Sequence, residues 1–172
     1  MKTLLPLFLA LVFTLAAGTG RAEEKNGLSV MVNKTTLEKN DIRGGAYSYY
    51  DRIDRKQGLK AAIKNNTFKE MPEGELIWTI LVRKYYSTSV ESYTGTEKLK
   101  ALKPAQGVDM VFGNAEVTGY SYTGSSADKD KIEWQIVIKH DGKEMIKAQS
   151  TSTFDALAKR AIKAVPAARR GD

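Results

Sequence analysis

The sequence predicts an all-β fold, an antiparallel sandwich of about seven to nine strands with a C-terminal amphipathic helix. Three observations carry that reading. Short runs of alternating apolar and polar residues recur between Gly, Asn, Asp and Pro along most of the chain. Asp141-Gly142 joins two such runs and is the strongest two-residue hairpin signal present. Near the C-terminus the apolar period changes to steps of three and four, the signature of a helix.

Before the first strand, residues 1–22 read as a secretory signal peptide. Lys2 supplies a positive start, residues 4–17 are apolar apart from Thr14, and Gly20-Arg21-Ala22 offers a small-residue exit before Glu23-Glu24-Lys25. The apolar run is shorter than the ~20 residues a bilayer core requires, so cleavage is expected rather than retention as an anchor. The domain plan that follows is a leader at 1–22, a sandwich at 23–151, a helix at 152–165 and a flexible tail at 166–172.

Leu28, Val30 and Val32 alternate with Ser29, Met31 and Asn33 and form the first expected strand. Leu59, Ala61 and Ile63 repeat the pattern before Asn65-Asn66-Thr67 ends it. Residues 75–84 give the strongest signal, with Leu76, Trp78, Ile80 and Val82 on one face and Ile77 and Leu81 on the other. Apolar residues on both faces mark a strand inside a sheet. Residues 108–112 and 115–122 read as two further strands. Residues 131–140 match 75–84 in character, with Ile132, Trp134, Ile136 and Ile138 on one face, and the return strand runs over 143–150. Phe154, Leu157, Ala158, Ala161, Ile162 and Val165 then form a helical stripe that must bury itself on the sheet or on a partner. Ser152 and Asp155 have capping-pair spacing, and Pro166 ends the pattern.

Trp78 on a central strand and the Trp134–Gly142–Ala148 hairpin give residues 28–150 a pattern that resembles an immunoglobulin-like β-sandwich, of the kind found in exported bacterial proteins. The two bridging cysteines of antibody-type domains are absent, and the resemblance carries no site residues with it. A jelly roll or small barrel is the alternative for the same strand spacing.

Composition narrows the chemistry. The chain has no cysteine, which removes disulfides, thiol catalysis and cysteine metal sites. Its net charge is +7, yet the lysines are interspersed with acids, as in Asp128-Lys129-Asp130-Lys131, so a mixed solvated surface is expected instead of a nucleic-acid groove. His140 is the one histidine and precedes the Asp141-Gly142 turn, where it is expected to be solvated. No Gly-x-Ser-x-Gly turn presents a serine, and no glycine-rich phosphate loop occurs. Asp51 and Asp54 each adjoin an arginine, so ion pairing is their default. Asp128 and Asp130 are a poor match to a calcium loop. No enzyme activity, cofactor or metal is therefore expected. Asn33-Lys34-Thr35 and Asn65-Asn66-Thr67 fit the glycosylation acceptor pattern. The terminal Arg170-Gly171-Asp172 tripeptide is treated as a chance match.

The tyrosines are the candidate site. All eight lie in segments rich in Gly, Ser and Thr: Tyr47, Tyr49 and Tyr50; Tyr85, Tyr86 and Tyr93; Tyr120 and Tyr122. Such segments suit binding loops, because a tyrosine ring gives a large amphipathic contact at little entropic cost. Tyrosine is also a good strand former, and the 47/49 and 120/122 alternation fits a sheet's solvent face. The expected function is an exported, non-enzymatic binding or adhesion-type domain, contacting a protein or glycan partner at the cell surface or in the periplasm, as part of a surface or pilus-type assembly. An exposed sheet edge is the second candidate binding element. A homo-oligomeric envelope protein built through the helix is the alternative, with a small hydrolase or carbohydrate-active protein behind it. Neither a nucleic-acid partner nor a membrane span after cleavage is expected.

Overall fold

A computed structural model describes residues 21–42, 50–122 and 127–164 of the chain. Most of the expected leader, the expected tail at 166–172, and Tyr47 and Tyr49 lie outside the described residues. In chain order the elements are β1 (Arg21–Lys25), β2 (Leu28–Lys39), β3 (Tyr50–Asn65), β4 (Gly74–Arg83), β5 (Val90–Leu99), β6 (Gly107–Tyr122), β7 (Asp128–Lys129), β8 (Lys131–His140), β9 (Lys143–Gln149), α1 (Phe154–Ala158) and β10 (Ile162–Lys163). They form an all-β sandwich. One sheet has the order β1-β2-β3-β6-β7 and the other β10-β5-β4-β8-β9. All pairings are antiparallel except the two-residue β10–β5 contact. β1, β5, β7 and β10 are not among the expected strands, because none has the apolar alternation that would announce it.

Alternation builds the core. Leu28, Val30 and Val32 of β2 with Leu59, Ala61 and Ile63 of β3 line one sheet's inner face. Leu76, Trp78, Ile80 and Val82 of β4 and Ile132, Trp134, Ile136 and Ile138 of β8 line the other. Each large aliphatic buried here contributes roughly 1.5–3 kcal/mol over leaving it exposed, which lets a chain without cysteine hold its sheets together. Trp78 stacks on Phe112 of the facing sheet with ring centroids 6.3 Å apart. β4 lies between β5 and β8, as its two apolar faces require. Among the described residues, no helix is long and apolar enough to cross a membrane.

Four expectations need correction. Residues 108–112 and 115–122 are one strand, β6, bent at a bulge where Gln57 pairs with Ala115 but Leu59 with Phe112. Gly113 makes the bend at φ +88°, and a Cβ there would lie 2.6 Å from Ile80 Cδ1. The C-terminal helix spans Phe154–Ala158 and not 152–165, because the chain then runs out along β5, where Ala164 N–H donates to Ser92 O at 3.0 Å. Ile162, expected on the helical stripe, is exposed in β10. Ser152 and Asp155 do not cap the helix: Thr153 occupies the N-cap without a side-chain bond, and the Asp155 carboxylate turns to Gln135 and Lys147. The strand order also departs from the immunoglobulin arrangement. There the first sheet is A-B-E-D and strand C crosses to the second sheet, whereas here the consecutive β1, β2 and β3 are neighbours in one sheet.

Phe154, Leu157, Ala158 and Ala161 nevertheless dock as the apolar stripe requires. They pack with Leu81 and Val90 into a second small core on the outer face of the β5–β4 region.

Candidate functional site

Strand register brings tyrosines from distant segments to one end of the sandwich. Tyr50 at the start of β3 pairs directly with Tyr122 at the end of β6, and Tyr120 shares a face with Tyr122 by the two-residue period. Tyr85 and Tyr86 follow β4 in the turn before β5. Their rings form a chain of near-perpendicular contacts: Tyr50 to Tyr120 at 5.2 Å, Tyr120 to Tyr85 at 6.1 Å, and Tyr85 to Tyr86 at 5.1 Å. Tyr122 lies 6.2 Å from Tyr50. Edge-to-face packing suits the ring quadrupole, so the cluster is held by its own rings. It bridges the two sheets, because Tyr120 belongs to one and Tyr85 leads from the other. Tyr86 is the most open, at 68 % exposure, so the cluster presents aromatic surface as well as structure.

Tyr93 does not join it. The middle of β5 places Tyr93 opposite Ile80, half-buried against the main core, where its hydroxyl donates to Glu91 at 3.1 Å. Burial and the neighbouring Glu91 charge push the Tyr93 phenol up to about 12.

Bonded to the backbone of Tyr85 is Asp130, one of the two acids that match a calcium loop poorly. Asp130 is buried and its carboxylate collects four donors. Oδ1 accepts from Tyr85 N–H at 3.1 Å, and Oδ2 accepts from Thr118 N–H at 3.0 Å, Thr118 Oγ1 at 3.2 Å and Lys84 Nζ at 3.2 Å. Lys84 also pairs with Glu91 at 3.1 Å. Burial opposes the ammonium, but Glu91 and Asp130 outweigh it and hold Lys84 above its ordinary value. A run of bonds from Tyr93 through Glu91, Lys84 and Asp130 thus fixes the backbone of Tyr85. The sequence carried one usable signal for this: Asp130 and Lys84 are both charged residues flanking strong apolar strands.

Beside the cluster, an open groove of about 690 Å³ runs between the β4–β5 turn, the β7–β8 junction and α1. Tyr85, Ser87, Thr88, Lys129 and Arg160 are among its walls. The turn holds its own shape through Ser87 Oγ and Ser89 Oγ at 2.6 Å and Ser89 N–H to Ser87 Oγ at 3.2 Å.

The other sequence candidates resolve into structural parts. Asp51 and Asp54 stand three apart on β3, so they point to opposite faces, and Asp54 pairs with Arg52 at 3.7 Å. His140 Nδ1 lies 2.8 Å from Glu73 O and Nε2 lies 3.1 Å from Asp141, at the mouth of the β8–β9 turn. Asn65 is buried and unsuited to glycosylation: its Nδ2 donates to Lys69 O at 2.8 Å and Leu102 O at 2.9 Å. Among the described residues, no three His, Asp or Glu side chains converge as a metal site. On the sheet edge, β10 covers only Glu91 and Ser92 of β5.

No family model matches the chain, and no curated protein does. Among solved structures, the chain is similar to a protein from Akkermansia muciniphila, with 10% sequence identity over 84% of each chain and a TM-score of 0.37. A likeness this distant assigns neither a family nor a function.

Proposed function

We propose that this protein is an exported, non-enzymatic binding domain that captures a protein or glycan partner with the tyrosine-clustered end of its sandwich. One observation carries the reading: Tyr50, Tyr85, Tyr86, Tyr120 and Tyr122 converge from both sheets into one partly exposed aromatic surface on a fixed backbone. Pre-organised aromatic surface gives contact area without ordering cost, which is what a binding face needs. The leader-like residues 1–22 support export, and placement in a surface assembly is an extension of that reading. The oligomer alternative is weaker, since α1 spends its apolar stripe on Leu81 and Val90 of its own chain.

The test is a triple alanine variant at Tyr50, Tyr86 and Tyr122, expressed in the native cells and crosslinked. Partner adducts identified by mass spectrometry should fall at least tenfold while the melting temperature stays within a few degrees. Undiminished adducts at unchanged stability would reject the tyrosine surface.

A further inference from the structure

We propose that the groove beside the tyrosine cluster is a subsite for the acidic groups of a sulfated or uronic-acid-bearing glycan. The inference rests on the reading that this end of the sandwich binds a partner, and it names that partner's chemistry.

Charge is the first argument. Arg83, Lys129, Lys131 and Arg160 line the groove, against Asp128 as its one acid without a cationic partner. Elsewhere among the described residues some surface lysines are paired, as with Lys60 and Asp109 at 2.9 Å or Lys147 and Asp155 at 3.2 Å, and others such as Lys98 and Lys100 stand singly, so what marks the groove is the gathering of its cations on one concave surface. Among the described residues Lys129, Lys131 and Arg160 have no such pair, and all three side chains are exposed. Arg83 reaches Glu133 only at 3.7 Å, and its buried Nε has no acceptor. The excess is felt nearby. Burial lowers the Lys34 ammonium, Glu133 opposes that, and the Lys129 charge lowers it again. Unpaired like charges around a concave surface concentrate a potential that attracts anions.

The walls choose among anions. Ser87, Thr88 and Ser89 offer hydroxyls, and Tyr85 offers a ring beside the more open Tyr86. Val90 and Leu157 are the larger aliphatic residues on the lining, and both are already engaged with α1 or β5. An acidic peptide would anchor an apolar side chain in such a groove, and here the larger aliphatics Val90 and Leu157 are already packed in the small core beside Leu81 and Phe154. A pyranose needs hydroxyl partners, an aromatic face for its C–H side and cations for its sulfate or carboxylate. All three are present within one groove of a size that accepts a short saccharide.

The test uses the full-length mature chain with chondroitin sulfate, followed by titration calorimetry at two salt concentrations, with dextran and poly-glutamate as comparison polymers. Chondroitin sulfate should bind, weaken with salt, and exceed poly-glutamate, while dextran should not bind. Lys129→Glu with Lys131→Glu should weaken binding at least tenfold, and the milder Arg160→Gln should weaken it measurably without touching the strands. Lys98→Glu with Lys100→Glu, the same charge change at the other end of β5, should alter it less than twofold. Equal losses in both double variants, equal binding of poly-glutamate, or no chondroitin sulfate binding would each overturn the inference. Adduct loss in the tyrosine variants without chondroitin sulfate binding would end this inference and leave the tyrosine surface standing. Groove-dependent chondroitin sulfate binding with undiminished adducts would do the reverse.

Discussion

Asp130 Oδ2 lies 3.2 Å from Lys84 Nζ inside the sandwich, joining residues 46 apart in sequence. The same carboxylate bonds Thr118 on β6 and the Tyr85 backbone after β4, so it ties the two sheets together directly beneath the aromatic cluster. Removing the acid leaves Tyr85 N–H, Thr118 N–H and Thr118 Oγ1 without their acceptor and Lys84 with Glu91 alone, and buried polar groups without partners are costly. Asp130→Ala should therefore destabilise the fold by about 3 kcal/mol. Lys84→Met should cost less, because Asp130 keeps its donors from Thr118 and Tyr85. Urea titration of both variants checks the asymmetry, and equal losses would show that Asp130 is not the hub.

Trp78 and Gly95 give a second prediction. They pair across β4 and β5, and a Cβ on Gly95 would come within 2.3 Å of the Trp78 ring. The indole also stacks on Phe112, so it has nowhere to retreat. Gly95→Ala should cost about 1–3 kcal/mol through overpacking. Gly142→Ala, in open space at φ +74°, should cost about 1 kcal/mol from backbone strain alone. Thermal melts of the two variants should separate clearly, and a Gly95→Ala melt at or above the Gly142→Ala value would refute the packing argument.

Phe154 tests the docking of α1. Its ring is buried against Leu81 and Val90 outside the main core. Phe154→Ala should destabilise by about 3 kcal/mol, within the usual range for a buried aromatic. Leu157→Asp should release the helix at lower cost, since Leu157 is only half-buried. Hydrogen exchange localised to residues 154–164 should accelerate in both. Protection unchanged in that segment would place the helix's stability elsewhere.

These sites differ in how far the sequence disclosed them. The β8–β9 hairpin was legible because alternation and Asp141-Gly142 are local signals that agree. The long helix was not, because periodicity shows an apolar stripe but not the free backbone groups on β5 that draw residues 162–164 into an extended path. The tyrosine segments were visible as composition. Their convergence depends on the Tyr50–Tyr122 register, which is set by the inward apolar residues of β3 and β6 and by the Gly113 bulge. Tyr93 looked equivalent in sequence and was separated from the others only by its position opposite Ile80. Asp130 was legible only as a charge beside a strong apolar strand: a buried acid is recognisable by its partners, and those partners come from β6 and the segment just after β4.

Asp41 and Arg55 carry a prediction about acid. Arg55 Nε donates to Asp41 Oδ1 at 2.9 Å, and that bond, with the guanidinium charge, pulls the Asp41 carboxyl down to about 2. A carboxyl whose folded value lies below its unfolded one adds stability above the unfolded value and loses it as pH falls through the folded one. The contribution should be complete at neutral pH and vanish between about pH 4 and pH 2. Arg55→Gln should lower the melting temperature at pH 7 and close the gap to wild type at pH 2. A gap independent of pH would assign the loss to packing.

Tyr93 gives the opposite limb. Its phenol is raised first by burial and then by the Glu91 carboxylate it bonds, and Tyr85 is raised first by burial and then by Tyr120. A phenol whose folded value exceeds its unfolded one adds stability that is complete below the unfolded value and is lost as pH rises through the folded one. Stability should therefore decline between about pH 10 and pH 12 as the folded state resists ionisation that the unfolded chain accepts. Absorbance titration at alkaline pH should show a late phenolate component. Tyr93→Phe should remove most of that component, and Glu91→Gln should move it to lower pH, since the neutral amide no longer opposes the phenolate. A late component that survives Tyr93→Phe intact would place the resistant phenol at Tyr85, within the aromatic cluster and bonded through its backbone to Asp130.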